Sequence, residues 1–123
     1  MKPLTVEHVI RLQSQLIEAT GGLAGVKDKG LISSSLAAVF STYFGVEKYP
    51  TLEEKAARLC YSLVKNHAFI DGNKRIGVFA MLVFLEINGI VLEVTDDELV
   101  WLGLGLADGQ LYYEQVLEFI RNH

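Results

Sequence analysis

Cysteine and long apolar stretches are the clearest shortages in this chain. It contains one cysteine, Cys60, among 123 residues, so an intrachain disulfide is excluded and a reducing, cytoplasmic compartment is expected. The longest apolar stretch, Ile76–Ile87, contains Glu86 and is shorter than the roughly 18 residues that span a bilayer. The start of the chain reaches Glu7 and His8 too early for a signal peptide. We therefore expect neither a membrane protein nor a disulfide-stabilised secreted one.

Basic residues are also few. Lys and Arg total 11 against 15 Asp and Glu, which leaves a net charge of −4. Proteins that bind the phosphate backbone of DNA or RNA present a basic surface, so direct nucleic-acid binding is not expected. Half of the residues are hydrophobic, which is enough for a packed core. Because the chain has no repeat, low-complexity tract or linker, one domain covering residues 1–123 is expected.

Apolar periodicity and capping signals predict about six helices, and the expected fold class is an all-α, single-domain bundle. Two capping boxes, Thr51–Glu54 and Thr95–Glu98, mark helix starts, because threonine and glutamate at this spacing can satisfy each other's backbone donors. The predicted helices run from the Thr5 cap to Gly21, from Leu31 to Phe44, from Leu52 to about His67, from Lys74 to about Asn88, from Asp96 to about Ala107 and from Leu111 to Arg121, and Ile90–Val94 can form a brief extended segment.

The fourth predicted helix, at about residues 74–88, has no polar face. Such a helix is expected to be buried on all sides, and so to form the centre of the bundle. Gly77 lowers its helix propensity by about 1 kcal/mol relative to alanine. Close approach of a second helix is the expected compensation.

The stretch just before this helix, Asn66–Arg75, concentrates polar groups between two apolar segments. Its Asp71-Gly72-Asn73 sequence is turn-forming, and the free amide groups at the start of the following helix form an anion site. Lys74 and Arg75 add two cations at a helix end where the dipole disfavours them. A bound phosphate would remove that conflict.

Three further side chains complete the groups needed for phosphoryl or nucleotidyl transfer. His67 can act as a general base or acid near neutral pH. Asp71 can hold Mg²⁺, which takes one or two carboxylates together with substrate phosphates, and Asn73 can donate a hydrogen bond to a charged oxygen. Each residue alone has an ordinary structural explanation, as a satisfied histidine, a helix cap or a surface polar group. Their combination at one helix start favours a functional site.

The sequence His67-Ala68-Phe69-Ile70-Asp71-Gly72-Asn73-Lys74-Arg75 resembles the Fic-fold signature His-x-Phe-x-Asp-Gly-Asn-x-Arg, in the form used by the Doc ("death on curing") toxins. The similarity extends to the loop Gly21–Leu31, to Tyr49–Ala57 and to Leu85–Gly89. The resemblance implies a Fic/Doc-like helical fold that uses ATP and Mg²⁺. The implied roles are a base at His67, a Mg²⁺ ligand at Asp71, an anion cradle at Gly72 and Asn73, and ATP phosphate contacts at Lys74 and Arg75.

Two positions are similar to the Doc toxins rather than to the nucleotidyl-transferring Fic enzymes. Val78 occupies the place of a second arginine in those enzymes, and Lys74 occupies a place where they commonly carry glycine. Doc toxins are protein kinases that phosphorylate a threonine of translation elongation factor Tu and so arrest protein synthesis. The resemblance therefore implies kinase activity; AMP transfer and a catalytically weak interaction domain of the same fold are the alternatives.

The resemblance also implies a partner, a Phd-type antitoxin whose C-terminal segment folds as a helix into a groove of the toxin. Aromatic side chains are candidates to line that groove, although ordinary core packing explains each of them equally well. The candidates are Tyr43, Phe44, Tyr49, Trp101, Tyr112 and Tyr113.

Overall fold

A computed structural model describes all 123 residues and contains six helices and one small hairpin. The elements in chain order are α1 (Val6–Thr20), α2 (Lys29–Val39), β1 (Thr42–Tyr43), β2 (Val46–Glu47), α3 (Leu52–Asn66), α4 (Asn73–Ile87), α5 (Asp96–Ala107) and α6 (Tyr113–Arg121). The all-α class expected from the sequence is confirmed. No helix has both the length and the apolar character needed to cross a membrane.

The capping boxes start their helices as expected. Thr51 Oγ1 accepts a hydrogen bond of 3.1 Å from the Glu54 N–H, while the Glu54 carboxylate accepts one of 3.3 Å from the Thr51 N–H. Thr95 and Glu98 form the same reciprocal pair at the start of α5, and Thr5 caps α1. Each such cap stabilises its helix by about 1 kcal/mol.

Helices α3 and α4 form the centre of the bundle. A Cβ atom added to Gly77 would lie 2.5 Å from Val64 Cγ2 and 3.0 Å from the carbonyl oxygen of Cys60, so the expected close approach is confirmed. The expectation that α4 is buried on all sides is wrong on one side. There Phe79 and Leu82 are only partly buried and line an apolar groove, because α1 and α5 do not close over them.

Helix α2 is shorter than predicted and is followed by a hairpin that the sequence pattern missed. The helix starts after Asp28 and ends at Val39 rather than continuing to Phe44. The hairpin turns at Phe44 and Gly45, whose φ angles are 50° and 78°. Two successive positive φ angles suit a tight hairpin. Phenylalanine rarely adopts a positive φ angle. Phe44 was therefore not recognised as a turn residue, and the helix was predicted to continue to it.

A buried lysine ties this hairpin to α3. The Lys55 side chain is 2% exposed, and its Nζ donates hydrogen bonds to Glu47 Oε1 at 3.0 Å and to the carbonyl oxygen of Tyr49. It also lies 5.6 Å from the centroid of the Phe40 ring. A buried ammonium group is tolerated only when it has such partners. The hairpin is therefore fixed to the first turn of α3.

The segment between α4 and α5 forms neither helix nor strand. It contacts the end of the chain, because the Glu93 N–H donates a 3.2 Å hydrogen bond to the His123 carbonyl oxygen. The His123 ring stacks on Phe119, with 4.2 Å between ring centroids, and Nε2 contacts the Glu98 carboxylate. The last helix is thereby joined to the start of α5.

Candidate active site

The loop from His67 to Gly72 joins α3 to α4 and opens on a cleft of about 270 Å³. His67 ends α3 in the left-handed region, with φ 49° and ψ 50°, and its side chain is exposed. A non-glycine residue in this region costs about 1–2 kcal/mol. The lining of the cleft contains every predicted site residue: His67, Asp71, Gly72, Asn73, Lys74 and Arg75.

The first turn of α4 provides unpaired donors at the floor of this cleft. Gly72 precedes the helix with φ 74° and offers no side chain to cap it. The first backbone hydrogen bond of the helix runs from the Ile76 N–H to the Gly72 carbonyl oxygen at 2.8 Å. The N–H groups of Asn73, Lys74 and Arg75 therefore have no acceptor within the helix, which is the arrangement that binds anions.

The Asn73 side chain is used inside the loop rather than toward the cleft. Its Oδ1 accepts a 3.0 Å hydrogen bond from the Phe69 N–H, and its Nδ2 donates one of 3.0 Å to the Phe69 carbonyl oxygen. We expected this carboxamide to contact a charged oxygen. In the structure the carboxamide closes the loop, and the Asn73 backbone N–H has no acceptor within the helix.

Asp71 is held as a carboxylate by two backbone donors. Its Oδ2 accepts from the Leu23 N–H at 3.2 Å and its Oδ1 from the Gly72 N–H at 2.8 Å. These hydrogen bonds, first that from Leu23 and then that from Gly72, lower the pKa of Asp71, and nearby Arg75 lowers it further. The side chain is 44% exposed and Asp71 lines the cleft, so the ionised group is accessible to a ligand.

The two cations of the loop differ in their restraint. The Arg75 guanidinium donates through Nη1 to Thr20 Oγ1 at 2.6 Å and to the Gly21 carbonyl oxygen at 3.2 Å. Its Nη2 lies 3.8 Å from Asp71 Oδ1. The Lys74 side chain is exposed, and its ammonium group makes no hydrogen bond or ion pair within the chain. Arg75 is therefore fixed by the end of α1, whereas Lys74 is free to bind a ligand.

The glycine-containing loop between α1 and α2 lies along the α3–α4 loop. Val26 and Phe69 form an antiparallel bridge, and the Ile70 N–H donates to the Gly25 carbonyl oxygen at 3.1 Å. A Cβ atom at Gly22 would lie 2.5 Å from Asp71 Oδ2, so only glycine allows this approach. The loop between α1 and α2 therefore supports the α3–α4 loop from behind, although none of its own residues lines the cleft.

The sequence profile of the Fic/DOC family matches residues 3–85, which include both loops and most of α4. This chain belongs to the Fic/DOC family. The Doc toxin family expected from the signature is confirmed by two relatives with Doc names.

The relatives differ in identity and coverage. "Toxin Doc" from Mycolicibacterium smegmatis (strain ATCC 700084 / mc(2)155) is 46% identical over 79 residues, which are 64% of this chain and 61% of the relative. "Protein kinase doc" from Escherichia phage P1 is 30% identical over 122 residues, which are 98% of this chain and 94% of the relative. This Doc-type chain thus matches less than two thirds of the mycobacterial protein but nearly all of the phage protein.

The site of this Doc-type protein suits a nucleotide with a divalent cation. The helix amides and Lys74 can contact phosphate oxygens, and the Asp71 carboxylate can hold Mg²⁺. No group of three or more His, Cys, Asp or Glu side chains surrounds Asp71. This donor set fits a cation that takes most of its ligands from phosphate and water.

A second concavity, the apolar groove between α1, α4 and α5, adjoins the cleft. It has a volume of about 530 Å³ and shares Lys74 and Arg75 with the cleft. None of the six aromatic residues proposed from the sequence lines it. Its walls are mainly aliphatic: Leu16, Val78, Phe79, Leu82, Leu99, Val100 and Leu104. The aromatic candidates lie outside the groove: Tyr43 and Phe44 belong to the hairpin, Tyr49 packs on Tyr113, and Trp101 stacks on Phe119.

Sequence reasoning also missed two residues of α1 that contact the site. Thr20 accepts the hydrogen bond from Arg75, and Gln13 donates to the carbonyl oxygen of Asp71 at 3.1 Å. The only local signal was a glutamine on the apolar face of an amphipathic helix, where a polar residue is unexpected.

Proposed function

We propose that this Doc-type protein is a toxin that transfers the γ-phosphate of ATP to a hydroxyl group of a protein. The observation that carries the proposal is that the exposed imidazole of His67 shares one cleft with the free N–H groups at the start of α4. A base within reach of an anion site is the combination that phosphoryl transfer needs.

In the proposed reaction, His67 accepts the proton of the substrate hydroxyl group while the hydroxyl oxygen forms a bond to the γ-phosphorus of ATP. The bond from that phosphorus to the β–γ bridging oxygen breaks, and ADP leaves. The amides of α4 and the ammonium group of Lys74 orient and neutralise the phosphates. Asp71 would hold Mg²⁺, which supplies further neutralisation of the phosphate charge when bound. Asn73 and Arg75 contribute mainly by keeping the loop in this shape.

Val78 supports phosphoryl rather than AMP transfer. It is buried and aliphatic, and it lines the apolar groove next to the cleft. A second arginine at this place would add a phosphate contact one turn along α4, and its loss changes how a triphosphate can lie. We therefore propose the kinase as the first candidate, and AMP transfer by the same site as the second.

The proposed substrate is a threonine of elongation factor Tu, because Doc toxins act on it and the relative from phage P1 is named a protein kinase. Modification of this factor would arrest translation, and expression of the protein would stop growth.

Purified elongation factor Tu, incubated with the protein and with ATP labelled at either the γ- or the α-phosphate, tests these proposals. We expect transfer from the γ position only, abolished in His67→Ala and retained in His8→Ala, a matched change of an exposed histidine near the start of α1. Transfer from the α position would establish AMP transfer instead. No transfer, together with normal growth on expression, would leave an interaction domain of the same fold.

We further propose that the apolar groove binds the helical C-terminal segment of a Phd-type antitoxin. The groove is open, its walls are aliphatic, and Lys74 and Arg75 stand at one end. A helix with an apolar face fits such a surface, and an acidic residue of that helix could meet the cations. An occupied groove would also restrict Lys74, which offers a route to inhibition.

Growth rescue by a co-expressed antitoxin tests the groove. Leu104→Arg places a charge on the groove wall, whereas Val91→Arg places the same charge at an exposed apolar position outside it. We expect rescue to be lost in Leu104→Arg and kept in Val91→Arg. Equal rescue of both variants would refute the proposed groove.

A further inference from the structure

Gln13 is a buried polar residue on α1 that the sequence motif does not contain. It is 1% exposed and lies on the same face as the buried residues Val9 and Ile17. Burial of a primary amide is unfavourable unless its polar atoms find hydrogen-bond partners. The partners of Gln13 are therefore the reason to ask what this residue does.

Gln13 donates one hydrogen bond to the α3–α4 loop, which lines the cleft, and one to the α1–α2 loop, which packs against it. Its Nε2 donates to the carbonyl oxygen of Asp71 at 3.1 Å and to that of Leu23 at 3.4 Å. Neither carbonyl oxygen accepts any other hydrogen bond within the chain. One amide group thus joins the loop between α1 and α2 to the loop between α3 and α4.

The two residues that Gln13 holds are themselves joined. The Leu23 N–H donates to Asp71 Oδ2 at 3.2 Å, so Gln13, Leu23 and Asp71 form a closed set of hydrogen bonds. This set restrains both the backbone and the carboxylate of Asp71. The N–H groups of Leu23 and Gly72 together hold the carboxylate, and Gln13 restrains the first of these donors through the Leu23 carbonyl oxygen.

The next turn of α1 packs against both loops. Ile17 Cδ1 lies 3.1 Å and 3.2 Å from the positions that a Cβ atom would take at Gly22 and Gly72. One helical turn further, Thr20 holds Arg75. The spacing from Gln13 to Ile17 to Thr20 follows one helix face, so α1 presents a continuous support to the site.

We propose that Gln13 is a positioning residue that sets the direction of the Asp71 carboxylate by joining the carbonyl groups of Asp71 and Leu23. It does not touch the reacting groups. Its kinetic consequence rests on the proposed phosphoryl transfer, whereas its effect on the Leu23–Asp71 hydrogen bond does not.

The test compares Gln13→Met, which keeps the length of the side chain but removes both donors, with Gln15→Met on the exposed side of α1. We expect kcat for labelled phosphate transfer to fall by about 10-fold to 100-fold in Gln13→Met, since small misplacements of a catalytic group have effects of this size. The KM for ATP should change less than kcat, because Lys74 and the α4 amides remain. Gln15→Met should match the unaltered protein in both constants.

A conservative variant separates positioning from general damage. In Gln13→His, a ring N–H remains available as one donor, so kcat should lie between those of the unaltered protein and Gln13→Met. Equal loss in the methionine and histidine variants would overturn the proposal. If Gln13→Met does not fold, Gln13→His decides the matter alone: a reduced kcat supports the proposal, and an unaltered kcat overturns it.

Amide hydrogen exchange of Leu23, measured by NMR without ATP, gives a readout that does not depend on the proposed function. We expect exchange of this N–H to be faster by about fivefold or more in Gln13→Met, as loss of one hydrogen bond predicts. Unchanged exchange would overturn the positioning role. If the unaltered protein transfers no label, the proposed function fails, yet faster Leu23 exchange in the variant would still establish the link.

Discussion

The hairpin before α3 and the loop after it contain the same unusual backbone feature in different settings. Phe44 in the hairpin next to the first turn and His67 at the last turn are the only non-glycine residues with positive φ, at 50° and 49°. Phe44 is 89% exposed and its hairpin is tied down by the buried Lys55. His67 faces a cleft with unpaired donors. A similar positive φ angle therefore marks a structural turn before α3 and a candidate catalytic residue after it, and only the surrounding groups distinguish them.

The largest expected effect comes from exchanging each strained residue for glycine. His67→Gly should lower phosphate transfer by about 10²–10⁴-fold, as loss of a general base does, while raising the free energy of unfolding by about 1 kcal/mol through relief of the left-handed conformation. Phe44→Gly should relieve similar strain and leave transfer unaltered. Label transfer and urea denaturation measure the two quantities. If the two variants lost activity equally, the distinction between the ends of α3 would be wrong.

The next effect, on stability alone, is expected at the first turn of α3. Lys55→Ala removes a buried side chain and its bonds to Glu47 and to the Tyr49 carbonyl group. We expect the free energy of unfolding to fall by about 2–4 kcal/mol, with little change in kcat of the folded protein. Lys65→Ala, in the last turn of the same helix, is the control and should change stability by less than about 0.5 kcal/mol. A large fall in kcat for Lys55→Ala would contradict this assignment.

A smaller, pH-dependent effect on stability is expected at the contact between Glu98 and His123, which involves neither Phe44 nor His67. Hydrogen bonds to the Phe119 carbonyl group and to Glu98 raise the pKa of His123 above its ordinary 6.5. The stability that protonated His123 contributes is therefore complete below pH 6.5 and is lost as the pH rises through the raised pKa. The Thr95 N–H, and then His123, lower the pKa of Glu98 below its ordinary 4.5, so that contribution is lost as pH falls through the lowered value.

The Glu98–His123 contact should therefore stabilise the fold most fully between about pH 4.5 and 6.5. Thermal unfolding at about pH 5.5 and about pH 8.5 should show that the unaltered protein exceeds His123→Ala in stability by more at the lower pH, where His123 is protonated. A difference between the two proteins that does not vary with pH would argue against the contact.

The smallest effect is expected in the middle of α3, between the two ends. Ser62 is 4% exposed, and its hydroxyl oxygen has no hydrogen-bond partner. Ser62→Ala removes this unsatisfied group and should raise the free energy of unfolding by about 0.5–1 kcal/mol. Ser14→Ala, at an exposed position of α1, is the control. Destabilisation by Ser62→Ala would indicate that the hydroxyl has a partner in solution.

Much of the fold could be predicted because its signals are local. The capping boxes at Thr51 and Thr95 each join residues three apart, and apolar periodicity repeats within a few residues. The hairpin could not be predicted in this way. It depends on the positive φ angle of Phe44 and on the hydrogen bond from Lys55 to Glu47, which lies eight residues earlier in the chain.

The sequence by itself determined the all-α class with about six helices, the signature from His67 to Arg75 and the family to which the chain belongs. Only the tertiary structure decided how those residues are used. It closed the Asn73 carboxamide on Phe69, left Lys74 free and brought Gln13 to Asp71 across 58 positions of the chain. The physical reason is that hydrogen-bond partners far apart in sequence leave no periodic pattern. They are chosen when buried polar groups must be satisfied inside the packed fold.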